Sequence, residues 1–176
     1  MQTVSLPVAV MGLDHLFHST HCLLIGSINN PSVVQHTLKP NHIEFYYMKR
    51  PFMKVEVCGI ITNKRLAKGK GIVVVDDGTG VIECVQYHKD GEREEISSLS
   101  VGDLVMIRGI LRLKHSEFLP SMPFHAIDQM PQHLAIDITH LEVIEDENYE
   151  LFHWNQCMEL HRDVYSKPAA AEHRKH

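Results

Sequence analysis

Three cations recur along one short stretch, Arg108, Arg112 and Lys114, within Leu104 to Lys114. In an extended strand, residues an even number apart share a face, so all three project from one side. Val105, Ile107, Gly109, Leu111 and Leu113 occupy the other side. A basic strand face of this kind can track the phosphates of a single strand and offer guanidinium planes to bases. Tyr87 closes a separate apolar run. An exposed tyrosine there can stack one base, for roughly 1–3 kcal/mol whatever the base. Lys64, Arg65, Lys68 and Lys70 form a second basic group between two apolar runs. Each feature also has a plainer reading: a solvated outer strand face, a tyrosine packed on a sheet rim, or a soluble loop.

Other chemistries find little in the sequence. There is no phosphate loop, no GxSxG and no acid–base pair at catalytic spacing, so no enzymatic activity is expected. Cys22, Cys58, Cys84 and Cys157 are isolated, without a CxxC pair, and read as reduced core or half-buried residues, with a disulfide frame or a zinc site as the other reading. The 14 histidines are scattered. His15, His18 and His21 would share a helical face but have no acidic or cysteine partner in sequence, so neither metal nor cofactor is expected.

Lys and Arg number 17 against 22 Asp and Glu, a net charge of -5, which argues against holding nucleic acid by bulk charge. A local basic groove on an acidic body remains compatible with that balance. At 176 residues with 44% hydrophobic content, the chain suits one domain with a real core. No run approaches the ~18 apolar residues of a membrane span, and the N-terminus lacks a basic region before an apolar one. An intracellular protein that does not engage a membrane is expected.

The elements that must position these residues centre on Lys54 to His88. Val55, Val57, Gly59 and Ile61 alternate onto one face, a basic loop from Thr62 to Lys70 follows, and Ile72 to Val75 forms a second run. Asp76-Asp77-Gly78-Thr79-Gly80 then reads as a hairpin turn into Val81–Tyr87. A short crossover around residues 92–99 leads to the strand of Arg108 and Arg112, in which Gly109 marks a bend or bulge. Residues 115–132, with Pro120, Pro123 and Pro131, form a long loop before a fifth strand from Leu134 to Ile144.

A helix from about Asn148 to Tyr165 closes the chain, and residues 169–176 are a polar, disordered tail. Ahead of the sheet, residues 1–13 are a loose arm. A helix runs from Asp14 to about Asn29, and Ile43 to Met48 is a short strand that Pro51 ends. The expectation is an all-β core with flanking helices. Residues 1–30 are arm and helix, 43–145 a five-stranded barrel in the strand order of an OB-fold, which alternation and turns alone do not separate from another small barrel, and 148–166 a partner-binding helix. In that helix Leu151, Trp154, Met158 and His161 make one stripe, while Cys157, Leu160 and Val164 make an adjacent one. A barrel needs only one stripe to dock a helix, so the wider arc suggests a second surface to bury.

Phe45-Tyr46 and Pro51-Phe52 leading into Val55–Ile61, the Val75–Cys84 hairpin, and Val105–Arg112 resemble the Stn subunit of the telomeric CST complex. The resemblance extends from about residue 13 to 168 and includes Met158-Glu159-Leu160 and Val164-Tyr165. It implies an OB-fold related to the middle subunit of replication protein A. It also implies a nuclear, telomere-capping role on single-stranded telomeric DNA. The implied partners are a small OB-fold Ten subunit, as a heterodimer, and a larger Cdc-thirteen-like subunit.

By position, Tyr87 matches a family aromatic, and Arg112 and Lys114 match a basic-then-aromatic pair in which Lys114 replaces the aromatic. Trp154 and Cys157 correspond to partner contacts, and Asp77 offers another, beside a plain role in the turn. Family members in animals and many fungi continue into winged-helix domains, whose functions are not carried over. Two other readings stay open: a general single-stranded DNA-binding subunit like that of replication protein A, and a protein-binding OB scaffold without DNA contact.

Overall fold

Alternating apolar residues and one strong hairpin turn lead to a sheet that curls back on itself. The computed structural model describes residues 16–39, 42–67, 69–88, 95–115 and 132–167. The five principal strands are β5 (Lys54–Ala67), β6 (Lys70–Asp76), β7 (Val81–Tyr87), β8 (Leu104–His115) and β9 (Gln132–Val143). Preceding them are β1 (Thr20–Cys22), α1 (Ile25–Asn29), β2 (Val34–Lys39), β3 (His42–Tyr47) and β4 (Arg50–Phe52), and α2 (Tyr149–Leu160) follows them. Pairing runs β5–β6–β7–β9–β8 and returns to β5, with β7–β9 parallel and the other contacts of this ring antiparallel. That circuit is the five-stranded barrel of an OB-fold.

Val55, Val57, Ile61, Val73, Val75, Ile82, Cys84, Val105, Ile107, Leu111 and Ile136 fill its interior, each at most 2% exposed. Between β7 and β8, a 3-10 turn (Glu95–Ser98) drops Ile96 onto Gly71 and plugs one end of the barrel. Any larger residue at 71 would collide with Ile96, whose side-chain carbons lie 3.0–3.1 Å from the place of a Cβ.

Three elements differ from the sequence reading. The helix expected over Asp14–Asn29 is reduced, within the described residues, to α1. Thr20–Cys22 instead extends the sheet as β1, parallel to β5, because pairing buries His21, Cys22 and Leu23. The basic loop expected from Thr62 to Lys70 is mostly strand. β5 continues past a bulge at Ile61/Asn63 as far as Ala67, opposite Lys70. Finally, β2, β3 and β4 form a three-stranded antiparallel sheet rather than a lead-in with one strand. Pro51 does not end it: Pro51 lies in edge strand β4, where its missing N–H interrupts nothing. Met48 and Lys49 both adopt positive φ, as a two-residue hairpin between twisted strands requires.

Gly109 meets its expected role. The β8–β9 register shifts between Arg108 and Gly109, and a Cβ at 109 would stand 2.3 Å from the Asp137 carbonyl oxygen. Residues 1–15, the expected disordered tail and the proline-rich loop between β8 and β9 lie outside the described residues.

The closing helix is set against the barrel by aromatic and polar anchors. Beyond α2 the chain makes one wider π-helical turn, His161–Tyr165. Tyr165 is 4% exposed, stacks on His21 with centroids 4.8 Å apart, and accepts a hydrogen bond from the Cys22 backbone N–H at 3.1 Å. The Tyr47 hydroxyl lies 2.6 Å from His161 Nδ1, tying β3 to the same turn. Burial pushes the Tyr47 and Tyr165 hydroxyls up to about 12.

Candidate nucleic-acid and partner interfaces

Alternation along β8 puts Arg112 and Lys114 outside the barrel, and the strand order places β9 between them and Tyr87 on β7. Three of the sequence-predicted residues therefore converge. Lys114 Nζ lies 5.0 Å from the centre of the Tyr87 ring and donates to its hydroxyl at 3.1 Å. The same ammonium pairs with Asp137 Oδ1, and Arg112 Nε donates to Asp137 Oδ2 at 3.2 Å. Burial alone would lower the Lys114 pKa, but hydrogen bonds to Asp137 and Tyr87 outweigh it, and the net shift is upward. Tyr87 is 59% exposed and the Arg112 side chain 53%. One carboxylate between two cations leaves the patch one positive charge, beside an exposed aromatic ring. Asp137 was not singled out in the sequence. Its signal was the lone acid in the outward half of the Ala135-Ile136-Asp137-Ile138 alternation.

The other expected DNA contacts lie elsewhere. Arg108 sits four residues back along β8, about 13 Å away at strand rise. Its Nε donates to Glu56 Oε2 at 2.5 Å, opposite in the β5–β8 register, and this pair raises its pKa. Lys64 donates to the Ser97 and Leu99 carbonyls at 2.8 and 2.5 Å, so its ammonium fastens the 3-10 turn. Arg65 is exposed on the β5–β6 hairpin, opposite Ile72. Lys68 lies outside the described residues.

α2 has two faces. His153 and Cys157 are buried at 0% and 4% against the barrel, while Leu151, Phe152 and Met158 are 68%, 60% and 54% exposed. Leu151 and Met158 are seven residues apart and therefore stacked on one side, with Phe152 flanking them. Trp154 is half-buried over the hairpin turn, its ring 3.4 Å from where a Cβ on Gly78 would be. Of the expected partner-facing residues, Leu151 and Met158 are on the outer face. Trp154 bridges both sides, Cys157 points inward, and His161 is exposed but engaged by Tyr47. Phe152 was missed because it falls outside both sequence stripes.

Asp77 is also turned inward, at 1% exposure. Its carboxylate accepts from the Ile25 N–H at 2.8 Å, from the Thr79 N–H and hydroxyl at 2.9 and 2.6 Å, and from the Gly80 N–H at 3.2 Å. Such a fully used acceptor clamps the hairpin to α1, and Gly78 supplies the positive φ of the turn. Just ahead of α2, the Asn148 side-chain amide donates to Asp146 Oδ1 at 3.0 Å.

All four cysteines are free and buried, as read from the sequence, and the fold brings two of them together. Cys22, His153 and Cys157 converge, all buried, with donor atoms within 4.8 Å of one another. No helix among the described residues is long and apolar enough to cross a membrane.

A closed β5–β9 barrel with a plugging turn between its third and fourth strands, and a helix docked beyond the fifth, defines the class: an OB-fold protein with an appended helix. The family model for telomere regulation protein Stn1 matches residues 11–174, and the chain belongs to that family. The CST complex subunit STN1 of Danio rerio is 32% identical over 98 residues, covering 56% of this chain and 26% of that protein. The Ailuropoda melanoleuca counterpart is 26% identical over 136 residues, covering 63% and 36%. The aligned region thus spans about a quarter to a third of these relatives.

Among solved structures, the S. pombe Stn1-ten1 complex aligns with a TM-score of 0.61 at 18% identity, covering 82% of this chain and 93% of that one. A replication protein A heterotrimer bound to single-stranded DNA also gives 0.61, at 19% identity over 84% and 98%. Yeast Stn1 and Ten1 gives 0.58, at 11% identity over 96% and 87%. These likenesses establish the shared fold.

Proposed function

We propose that this chain is a telomere-capping subunit that works in the nucleus at chromosome ends, without enzymatic activity. It pairs through α2 with a small OB-fold Ten subunit and joins a larger Cdc-thirteen-like subunit. It holds single-stranded telomeric DNA at the Tyr87–Arg112–Lys114 patch. The observation that carries the reading is the outer face of α2. Three large apolar side chains stay more than half exposed on a helix whose other face is already anchored. Such an exposed apolar patch marks an interaction surface, and the S. pombe Stn1-ten1 complex, whose fold this chain shares, supplies the kind of partner.

The test is co-expression with the candidate small OB-fold subunit and recovery of the pair by size. Leu151→Glu with Met158→Glu should abolish the heterodimer and leave the barrel folded, since both positions face solvent. A heterodimer that survives both charges would remove the helix from the interface. Trp154→Arg is a poorer probe, because Trp154 also packs on Gly78.

One observation favours the scaffold reading. Arg108, Arg112 and Lys114 each pair with a carboxylate, and Glu83, 6% exposed, lies on the same outward side of β7 as Tyr87. A scaffold would bind protein on this face and leave single-stranded DNA unbound.

A further inference from the structure

Among the described residues, a cluster of metal-ligating side chains lies beneath α2, away from the Tyr87 patch. Parallel pairing of β1 with β5 sets Cys22 directly beside Glu56. His153 and Cys157, four residues apart on α2, share one helix face and meet them from above. Cys22 Sγ lies 3.5 Å from Cys157 Sγ, 3.1 Å from His153 Nε2 and 3.5 Å from Glu56 Oε1. His153 Nε2 lies 3.8 Å from Glu56 Oε1 and 4.0 Å from Cys157 Sγ. All four residues are at most 8% exposed.

These separations are those of a coordination shell. Tetrahedral zinc with bonds of about 2.0–2.3 Å puts neighbouring ligand atoms about 3.3–3.8 Å apart. Cys22, His153 and Cys157 lie within 4.8 Å of one another, while Glu56 is close to Cys22 and His153 only. The outer shell is also built. Glu56 presents one oxygen to the cluster while the other accepts from Arg108 Nε at 2.5 Å, the kind of contact that orients a ligating carboxylate. A cavity of about 220 Å³, lined in part by Cys22, Cys157, Tyr47 and His161, leads to the two sulfurs and offers a path for an ion.

Without a metal, the two thiols satisfy each other only through weak sulfur hydrogen bonds.

We propose that Cys22, Cys157 and His153 bind one zinc ion that fastens α2 to the barrel, with Glu56 moving toward Cys157 to close the fourth position. Two thiolates and an imidazole, buried and with a carboxylate beside them, suit a structural zinc site rather than a catalytic one. The ion would tie α2 to β1 and β5, which already pair with each other as strands. It would hold the helix that carries Leu151, Phe152 and Met158. The inference does not depend on the proposed partner, since it concerns the inner face of α2.

The test is metal analysis of the untagged full chain, purified under reduction without chelator. About one equivalent of zinc per chain is expected, falling to background in Cys22→Ser and in Cys157→Ser. Cys84→Ser, at a buried cysteine outside the cluster, should keep the ion. As loss of a ligand can unfold the chain, cobalt substitution of the unaltered protein provides a second measurement. A tetrahedral site with two thiolates gives intense visible bands and a thiolate-to-cobalt charge-transfer band, both removed by added zinc. The proposal is overturned by a folded, reduced chain that carries no zinc and gives no such spectrum. It is equally overturned by zinc retained in both serine variants, or by a Cys22–Cys157 disulfide in the freshly purified protein.

Discussion

At the scale of single residues, the patch at the end of β7 turns on a competition for two cations. Asp137 holds Arg112 and Lys114 in place but also neutralises part of what a phosphate would meet. Asp137→Asn should therefore strengthen single-strand binding several-fold and steepen its salt dependence, because two freed cations release more counterions. Titration at two salt concentrations reads this directly, and an affinity that falls would mean Asp137 positions rather than competes. Tyr87→Ala should cost roughly 1–3 kcal/mol, about 5- to 150-fold in affinity, with the salt slope unchanged, since stacking carries no charge. Arg112→Ala should flatten that slope by about one. The residues of this patch were legible in the sequence because strand alternation is local. Their counter-ion was not, since Asp137 arrives from a strand more than twenty residues away. The same limit hid the Arg108–Glu56 pair and the carbonyl partners of Lys64, whose charges in sequence looked as available as those of Arg112.

At the scale of elements, turn chemistry made the central hairpin readable. Asp-Gly between apolar runs encodes its own geometry, and here Asp77 also reaches α1. Gly109 was readable for a similar reason, and it bears a prediction. Gly109→Ala drives a methyl group into backbone at 2.3 Å, where nothing flexible can yield. A cost of about 1–3 kcal/mol is expected, which lowers Tm by roughly 3–10 °C in a calorimeter for a chain of this size. An unchanged Tm would mean that the β8 bulge relaxes freely.

The N-terminal segment was misread because its apolar residues fit one long helix as well as they fit a strand followed by a short helix. Only the edge of β5 decides between them. The anchoring of α2 carries a pH signature. Tyr47 and Tyr165 are raised from the ordinary 10 to about 12 by burial, so the folded state favours their neutral forms. Their contribution to stability is fully present below pH 10 and is lost as pH rises through 12. Alkaline unfolding followed by tyrosinate absorbance should show these two hydroxyls ionising later than an exposed tyrosine, together with loss of α2 helicity. Early ionisation of all the tyrosines would contradict the packing.

At the scale of the whole molecule, one barrel carries two surfaces at different places. The end of β7, β9 and β8 offers charge and an aromatic face, while the outer side of α2 offers apolar area with little charge. The order of strands and the closing helix were legible because each repeats a short-range pattern. The buried set of Cys22, Glu56, His153 and Cys157 was not, since the chain brings Cys22 to Cys157 across 135 residues. The separation of surfaces predicts that each fails alone. Leu151→Glu with Met158→Glu should weaken partner binding by at least ~30-fold, the size of an interface hot spot, and leave DNA affinity of the free chain unchanged.

The most direct measurement is anisotropy titration of a labelled telomeric single strand with the purified heterodimer, unaltered and carrying Tyr87→Ala with Arg112→Ala. The account predicts an affinity at least ~10-fold weaker in the double variant, with the heterodimer intact by size. An intact heterodimer that binds the strand equally well with and without these side chains would contradict it.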